Sequence, residues 1–333
     1  MRWLFGVILT VATLWSGYWF VAASAVEKGL AGWLDARQSD GWVAEYTDLA
    51  TNGFPNRLDT TITDIELADP RTGVAWKAPF FQIFALSYKP NHIIALWPHE
   101  QTVASPYEKL SITSEDMRGS VIFTPGTSLE LDRSNFDLQN FRVQSDLGWS
   151  AALEKGEFFT RQTAGKTDTH DIWFEATNVT PSANLKNDLD PASLLPDVFE
   201  TLRIDSTVAF TAPWDRFAVE RNRPQVTALH LKGLQATWGN LDLRAAGKLS
   251  VNGAGVPSGK ITVKAKNWRD MLQIGIDTGI VPANISKTLE SALDFLAGMS
   301  GHPDTLDAPL TFKNGKVSFG PIPLGKAPRL VIR

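Results

Sequence analysis

The chain has 333 residues, enough for two or three domains or one large β architecture, and its 43% hydrophobic and 20% charged residues exclude wholesale disorder. Lys and Arg total 32 against 36 Asp and Glu, so the net charge of -4 gives no basic field for nucleic-acid phosphates. With no cysteine, disulfides, thiolate nucleophiles, iron-sulfur clusters and cysteine-ligated zinc are excluded.

From Trp3 to Val26 no residue is charged. As helix that run is about 36 Å long, at ~1.5 Å per residue, which crosses a bilayer core. Only Arg2 and the amino terminus precede it, so the positive-inside tendency keeps the start cytoplasmic and places the rest of the chain outside the cytosol. Trp15, Tyr18 and Trp19 fall near the far end, where amphipathic rings favour a membrane-water interface. Ala23-Ser24-Ala25 is a small-x-small cleavage signature, so residues 1–25 read either as an anchor or as a removed signal peptide. Val26, Leu30, Trp33 and Leu34 then recur at helical spacing, predicting an amphipathic helix over 26–41 that packs on the following sheet and ends at Gly41.

Beyond residue 42 the period falls to two, and strands dominate. Leu58, Thr60 and Ile62 alternate on one phase, and Ile65 and Leu67 on the other, which predicts a bulge near Thr63-Asp64 or two segments. Asp69 to Gly73 reads as a turn. From Val74 to Tyr88, Trp76, Phe80, Phe81, Ile83, Phe84 and Leu86 put apolar side chains on both faces of a strand. Either packed elements or a bound apolar ligand covers the second face, and these six residues are the candidate ligand-binding set. Shorter strands are expected at 92–97, 121–123, 129–131, 136–143, 172–176 and 208–210. Pro181 to Leu189 reads as a linker, dividing a first β-rich half (42–184) from a second (185–333).

In the second half Asp190 and Pro191 predict a helix start, with Leu194, Leu195, Val198, Phe199 and Leu202 on its apolar side. Alternation at Val226 to His230, Leu234 to Trp238 and Leu241 to Ala245 predicts an antiparallel meander, continued by 247–252 and 260–264. Two helices follow, marked by Trp268, Met271, Leu272 and Ile276, then by Ile285, Leu289, Ala292, Leu293, Phe295 and Leu296, with Gly298 as terminator. Asn314-Gly315 between Leu310-Lys313 and Lys316-Phe319 signals a type I′ hairpin. The fold class is therefore α+β, mostly antiparallel β.

No constellation points to catalysis. His92, His99, His170, His230 and His302 are scattered without zincin spacing. Asp168, His170 and Asp171 form the best local cluster, among neighbours that read as a solvated surface turn. Ser300 lacks a nucleophile-elbow frame, and Gly253-Ala254-Gly255 lacks the helix start of a phosphate loop. Neither a metal nor a cofactor is expected.

Gly53-Phe54-Pro55-x-Arg57, the Asp69-Pro70 turn, Trp76-x-Ala78-Pro79 and Pro90-Asn91-His92 resemble the bacterial family called domain of unknown function 2125. The likeness continues through Trp238 to Leu241, Gly247-x-Leu249, Gly255 to Gly259 and the terminal hairpin with Gly320 to Gly325. The second half is also similar to AsmA-like envelope proteins, membrane-anchored β-rich proteins linked to lipid transport. These resemblances imply an inner-membrane protein held through residues 3–26 with its bulk in the periplasm, or a cleaved periplasmic form. They imply a lipid or envelope-protein partner and supply no catalytic residue. Three readings stay open: a tethered protein cradling lipid or another apolar ligand, a structural or interaction module, and an envelope enzyme.

Overall fold

The structure is a computed structural model. It describes residues 1–191, 193, 195–218, 223–279, 281, 284, 286–299, 304–319 and 322–332, the side chains of 296, 299, 308 and 322 apart. Helix α1 (Arg2–Ser39) opens the chain, followed by strands β1 (Val43–Glu45), β2 (Asp48–Asn52), β3 (Arg57–Asp69), β4 (Val74–Leu86), β5 (Lys89–Leu96) and β6 (Glu100–Ala104). Next come β7 (Lys109–Thr113), β8 (Asp116–Phe123), β9 (Leu131–Ser145), β10 (Ser150–Gln162), β11 (Thr169–Val179), helix α2 (Ala183–Leu189) and β12 (Phe199–Phe210). The chain closes with β13 (Val226–Trp238), β14 (Leu241–Val251), β15 (Pro257–Lys266), helices α3 (Trp268–Asp277) and α4 (Ser286–Met299), β16 (Thr305–Lys313), β17 (Lys316–Phe319) and β18 (Ile322–Lys326). The α+β class with mostly antiparallel strands holds. Two compact units emerge, residues 1–123 with 136–148 and residues 124–135 with 149–333, so the division expected at 184/185 falls inside the second.

In the first unit the anchor and the amphipathic stretch, expected as two segments, are one unbroken helix of 38 residues. Gly41 ends it as expected, at φ 86° with its N–H on the Gln38 carbonyl at 2.9 Å. The helix docks on β1, β2 and β3. Trp19, Ala23 and Val26 pack with Leu58 and Ala85, and the Thr51 amide donates to the Glu27 carboxylate at 2.7 Å. Leu34 is 1% exposed, whereas Trp33 turns outward beneath the Arg37 guanidinium, off the expected stripe.

Strand β3 carries β1 and β2 on one side and β4 on the other. Its change of phase is real but needs no second segment: Asp64 adopts φ 50°, and the register to β4 is the same before it (Thr63 to Phe80) and after it (Ile65 to Ala78). Strand β4 pairs with β5 through its second half and with β6 through its first. The Asp69 turn closes on the Gly73 amide at 2.8 Å, with the Asp69 carboxylate accepting from the Arg71 amide.

The second unit is a meander in which each strand from β10 to β18 pairs with the next. Helices α3 and α4 bury Trp268, Leu272, Leu289, Leu293 and Ala297 against Ala265, Leu306 and Phe319. Phe295 lies off that packing face, and α4 runs through Gly298 to Met299 rather than stopping there. Asn314 and Gly315 both take positive φ, giving the expected hairpin. Of the anticipated residues, Leu194, Ile285, Gly320 and Pro321, as well as the Leu296 side chain, lie outside the described set.

Two expectations fail together between β11 and β12. The supposed linker holds helix α2, capped by Ser182, whose hydroxyl accepts from the Leu185 amide. Among the described residues no helix starts at Asp190, which ends α2 instead. Its buried carboxylate accepts from Lys186 Nζ at 3.3 Å and the Leu195 amide at 2.8 Å, and Phe199 to Leu202 join β12 against β11. Tertiary pairing outweighs the local capping signal. Residues 129–131 are likewise not a separate strand: Leu129 takes φ 50° and β9 begins at Leu131.

Two glycines let β14 and β15 approach closely. A Cβ on Gly247 would lie 2.2 Å from the Lys260 carbonyl oxygen, and one on Gly259 equally close to that of Lys248. Gly247→Ala is expected to cost about 1–3 kcal/mol in thermal or denaturant unfolding. Gly233→Ala, whose Cβ meets nothing within 4 Å, is the control and should cost no more than about 0.5 kcal/mol. Equal losses would refute the close-approach account.

Candidate functional site

Strand β4 separates the six candidate residues into two sets. Directly paired residues of an antiparallel ladder share a face. Phe81 pairs with Ile62, Ile83 with Thr60 and Ala85 with Leu58, so Phe81 and Ile83 lie on the face that carries α1. Trp76 joins them across the phase change, pairing with Leu67. There Trp76, Phe81, Trp97 and Phe136 form a chain of tilted and edge-on rings with centroids 5.2 to 5.8 Å apart. The Trp76 indole donates to Gln101 Oε1 at 2.7 Å, and Gly119 leaves room beneath the Trp97 and Phe136 rings. Phe80, Phe84 and Leu86 occupy the opposite face with Ile94, and Arg57 lies over the Phe84 ring. All six are half-buried. Of the core cluster beside them, Ile62, Ile65 and Ala78 are fully enclosed.

A larger apolar surface in the second unit escaped the sequence reading. Register aligns Phe158, Phe174, Ile204, Leu234, Ala245 and Val263 across six strands on one face. The same pairings put Glu175, Arg203, Gln235, Arg244 and Lys264 on the other. One face is therefore hydrocarbon and the other ionic. Among the described residues, helices α3 and α4 pack on the apolar face around Leu243, Ala265, Leu306, Leu310 and Phe319. Over β10 to β13, Phe174, Ile204 and Leu234 stay half-buried and Phe158 is 37% exposed. Strand β10 supplies the row's first ring, and its sequence, with Glu154, Lys155, Gly156 and Glu157 in mid-strand, shows no apolar alternation to announce it.

The ionic face holds a crevice of about 430 Å³ lined by Arg203, Asp205, Lys232, Arg244 and Lys264. Lys232 bridges Asp171 at 3.0 Å and Asp205 at 3.4 Å. The Thr207 hydroxyl, opposed by some desolvation, and Lys232 hold the Asp171 carboxyl below its ordinary range. Of its cations, Arg203 pairs with Glu175, Lys232 with Asp171 and Arg244 with Asp242.

The Asp168-His170-Asp171 cluster comes apart. His170 lies inside β11 rather than on a surface turn, 2% exposed, with Nδ1 3.2 Å from the Thr160 hydroxyl and its ring edge-on to Phe210. Its Nε2 is buried and has no hydrogen-bond partner among the described residues. Asp168 is exposed and takes the Thr169 hydroxyl, while Asp171, the next residue along β11, bonds Thr207 on the opposite face. His92 meets Ser120 and His99 meets the Ser114 carbonyl. Ser300, Gly301 and His302 lie outside the described residues, and among those described no group of His, Asp and Glu is placed to hold a metal ion.

The profile of a bacterial family described as an uncharacterized protein conserved in bacteria (DUF2125) matches residues 19–328. The chain belongs to that family. No curated protein and no solved structure shows a significant match. The family assignment agrees with the resemblance carried by the Gly53 to Arg57 and Trp76 to Pro79 motifs. The AsmA-like likeness has no such match behind it. The family's matched region opens at Trp19, within the helix and on its docking face. Helix α1 is long and apolar enough to cross a membrane, as an anchor or a signal sequence would be.

Burial pushes the His170 imidazole below its ordinary range, and the Asp132 and Asp171 charges offset this only in part. The folded chain therefore holds the neutral ring while the unfolded chain takes up a proton below about pH 6.5. Stability is then expected to fall as pH drops from 7 toward 5. His170→Gln should flatten that part of the profile in melts followed by circular dichroism, and an unchanged slope would refute the assignment.

Proposed function

We propose that the protein is a membrane-tethered periplasmic carrier that holds a lipid acyl chain or similar apolar ligand, and that it is not an enzyme. The row Phe158, Phe174, Ile204 and Leu234 carries this reading: large apolar side chains, side by side on four strands and left partly open, on a sheet whose other face is charged. A monomeric soluble fold seldom leaves such a surface without an occupant. The half-buried ring chain Trp76, Phe81, Trp97 and Phe136 is a second surface of the same kind. Separated histidines and paired carboxylates argue against catalysis.

We read α1 as a retained anchor. Cleavage after Ala25 would remove Trp19 and Ala23, which enclose Leu58, and would cut a helix that runs on to Ser39. Burying a side chain such as Leu58 stabilises by about 1.5–3 kcal/mol, so the loss would be felt throughout β3. The exported location follows from the charge asymmetry about the span.

The test is photo-crosslinking in cells with benzoylphenylalanine at Phe158, and at Lys260 on the charged face as control, read by mass spectrometry of the adduct. A lipid adduct at 158 alone is expected. A protein adduct would favour the interaction-module reading, and no adduct at 158 would defeat ligand binding there. The intact mass should include residues 1–25. In parallel, Phe158→Asp should cost about 1 kcal/mol or less, as at a surface position. Leu231→Asp, in the closed part of the same face, should cost more than about 4 kcal/mol.

A further inference from the structure

Near its far end the span is used up by protein. Trp15 Nε1 donates to the Pro55 carbonyl at 3.0 Å, Tyr18 Oη to that of Ser87 at 2.6 Å and Trp19 Nε1 to that of Arg57 at 2.7 Å. Phe54 sits edge-on to Trp19 at 5.5 Å and stacks on Phe20 at 5.8 Å. These contacts tie two strand-end turns, residues 53–57 and 87–89, to particular heights on α1.

Those heights lie within the membrane. With Trp3 at the inner boundary, Trp15 is about 18 Å and Trp19 about 24 Å along the helix, at ~1.5 Å per residue, short of a hydrocarbon core of about 30 Å. Tilt lowers them further. Glu27, the first charge after the span, is about 36 Å along by the same rise. The turns docked at Trp15 to Trp19 are accordingly drawn into the outer half of the bilayer, up to its headgroup boundary.

Exposed Arg57, paired with Asp59 at 3.0 Å, and exposed Lys89 reach the headgroup level from that depth. Irregular backbone survives there only when its carbonyls find donors within the protein. The three carbonyls are bonded by the anchor's own indole and phenol groups, and the Ser87 amide closes on the Asn56 carbonyl at 2.9 Å. Outward, the turns present Phe54, 52% exposed, and Tyr88, 58% exposed, an aromatic pair suited to the headgroup layer.

We infer that residues 53–57 and 87–89 form a second membrane contact, inserted with Phe54 and Tyr88 into the outer headgroup–acyl boundary of the bilayer that α1 spans. This rests on the reading of α1 as a retained anchor.

Because the chain has no cysteine, single-cysteine variants label at one place. Phe54→Cys, Tyr88→Cys and Tyr107→Cys of the full chain are coupled to NBD and reconstituted in phosphatidylethanolamine–phosphatidylglycerol vesicles. Tyr107 lies at the end of the first unit where β6 meets Ala75 to Lys77, the far end of β4 from Leu86. Lipids spin-labelled high on the acyl chain should quench positions 54 and 88 several-fold more than 107, and aqueous iodide should do the reverse. Because Phe54 also packs on the helix, Tyr88→Cys, outside those ring contacts, is the deciding variant. Iodide quenching at 88 equal to that at 107 would overturn the inference while leaving the anchor intact. Loss of residues 1–25 in the intact mass would instead defeat the anchor reading.

Discussion

A single helix is apolar enough over its first half to cross a membrane and docks on strands farther along. From Trp3 to Val26 α1 carries no charged side chain, and from Trp19 onward the same rod buries Trp19, Ala23 and Leu34, the first two against Leu58 of β3. The indole and phenol groups that would otherwise satisfy themselves in the headgroup layer donate instead to the carbonyls of Pro55, Ser87 and Arg57. Each bond contributes only about 1 kcal/mol net in water, but more is at stake where no water replaces it. The placement of β2, β3 and β4 follows from this docking, and with it the position of the ring chain that begins at Trp76.

The second unit obeys a different constraint, the period of two along each strand. Nine strands pair in sequence, with register shifts at Asp205/Ser206, Ala209/Phe210, Leu231/Leu234 and Val317/Ser318, and along the row from Phe158 to Val263 the local alternation becomes one apolar and one ionic surface. Helices α3 and α4 close part of the apolar surface, and the carrier reading concerns the part they leave. His170 lies on the same face within β11, beside Thr160 and Phe210, where burial favours the neutral imidazole.

Much of this was legible in the chain because it depended on local rules. The uncharged run, the Gly41 stop, the phase change at Asp64 and the Asn314-Gly315 hairpin each arise from residues within a few positions of one another. The failures are nonlocal. Strand β10 has charges where alternation would want apolar residues, and it is a strand because β11 pairs with it. Asp190 has the chemistry of a cap, but its carboxylate serves Lys186 and Leu195, and Phe199 to Leu202 take their conformation from β11. Trp33 looked like part of a packing stripe, and a cation on its face from Arg37 gave it another place. Of the candidate ligand residues, sequence recognised that β4 was apolar on both sides but not that Trp76, Phe81 and Ile83 part company with Phe80, Phe84 and Leu86. The row through Phe158 was invisible, since its members come from strands far apart in sequence.

The absence of any break between the span and the docked stretch of α1 also has a mechanical side. Gly29 and Gly32 lie within regular helix, and no hinge separates Val26 from Leu34. Retained as an anchor, such a helix would carry the first unit as a stiff mast instead of a tether. A thinner membrane, by leaning the mast, would turn strands β1 to β4 through the same angle.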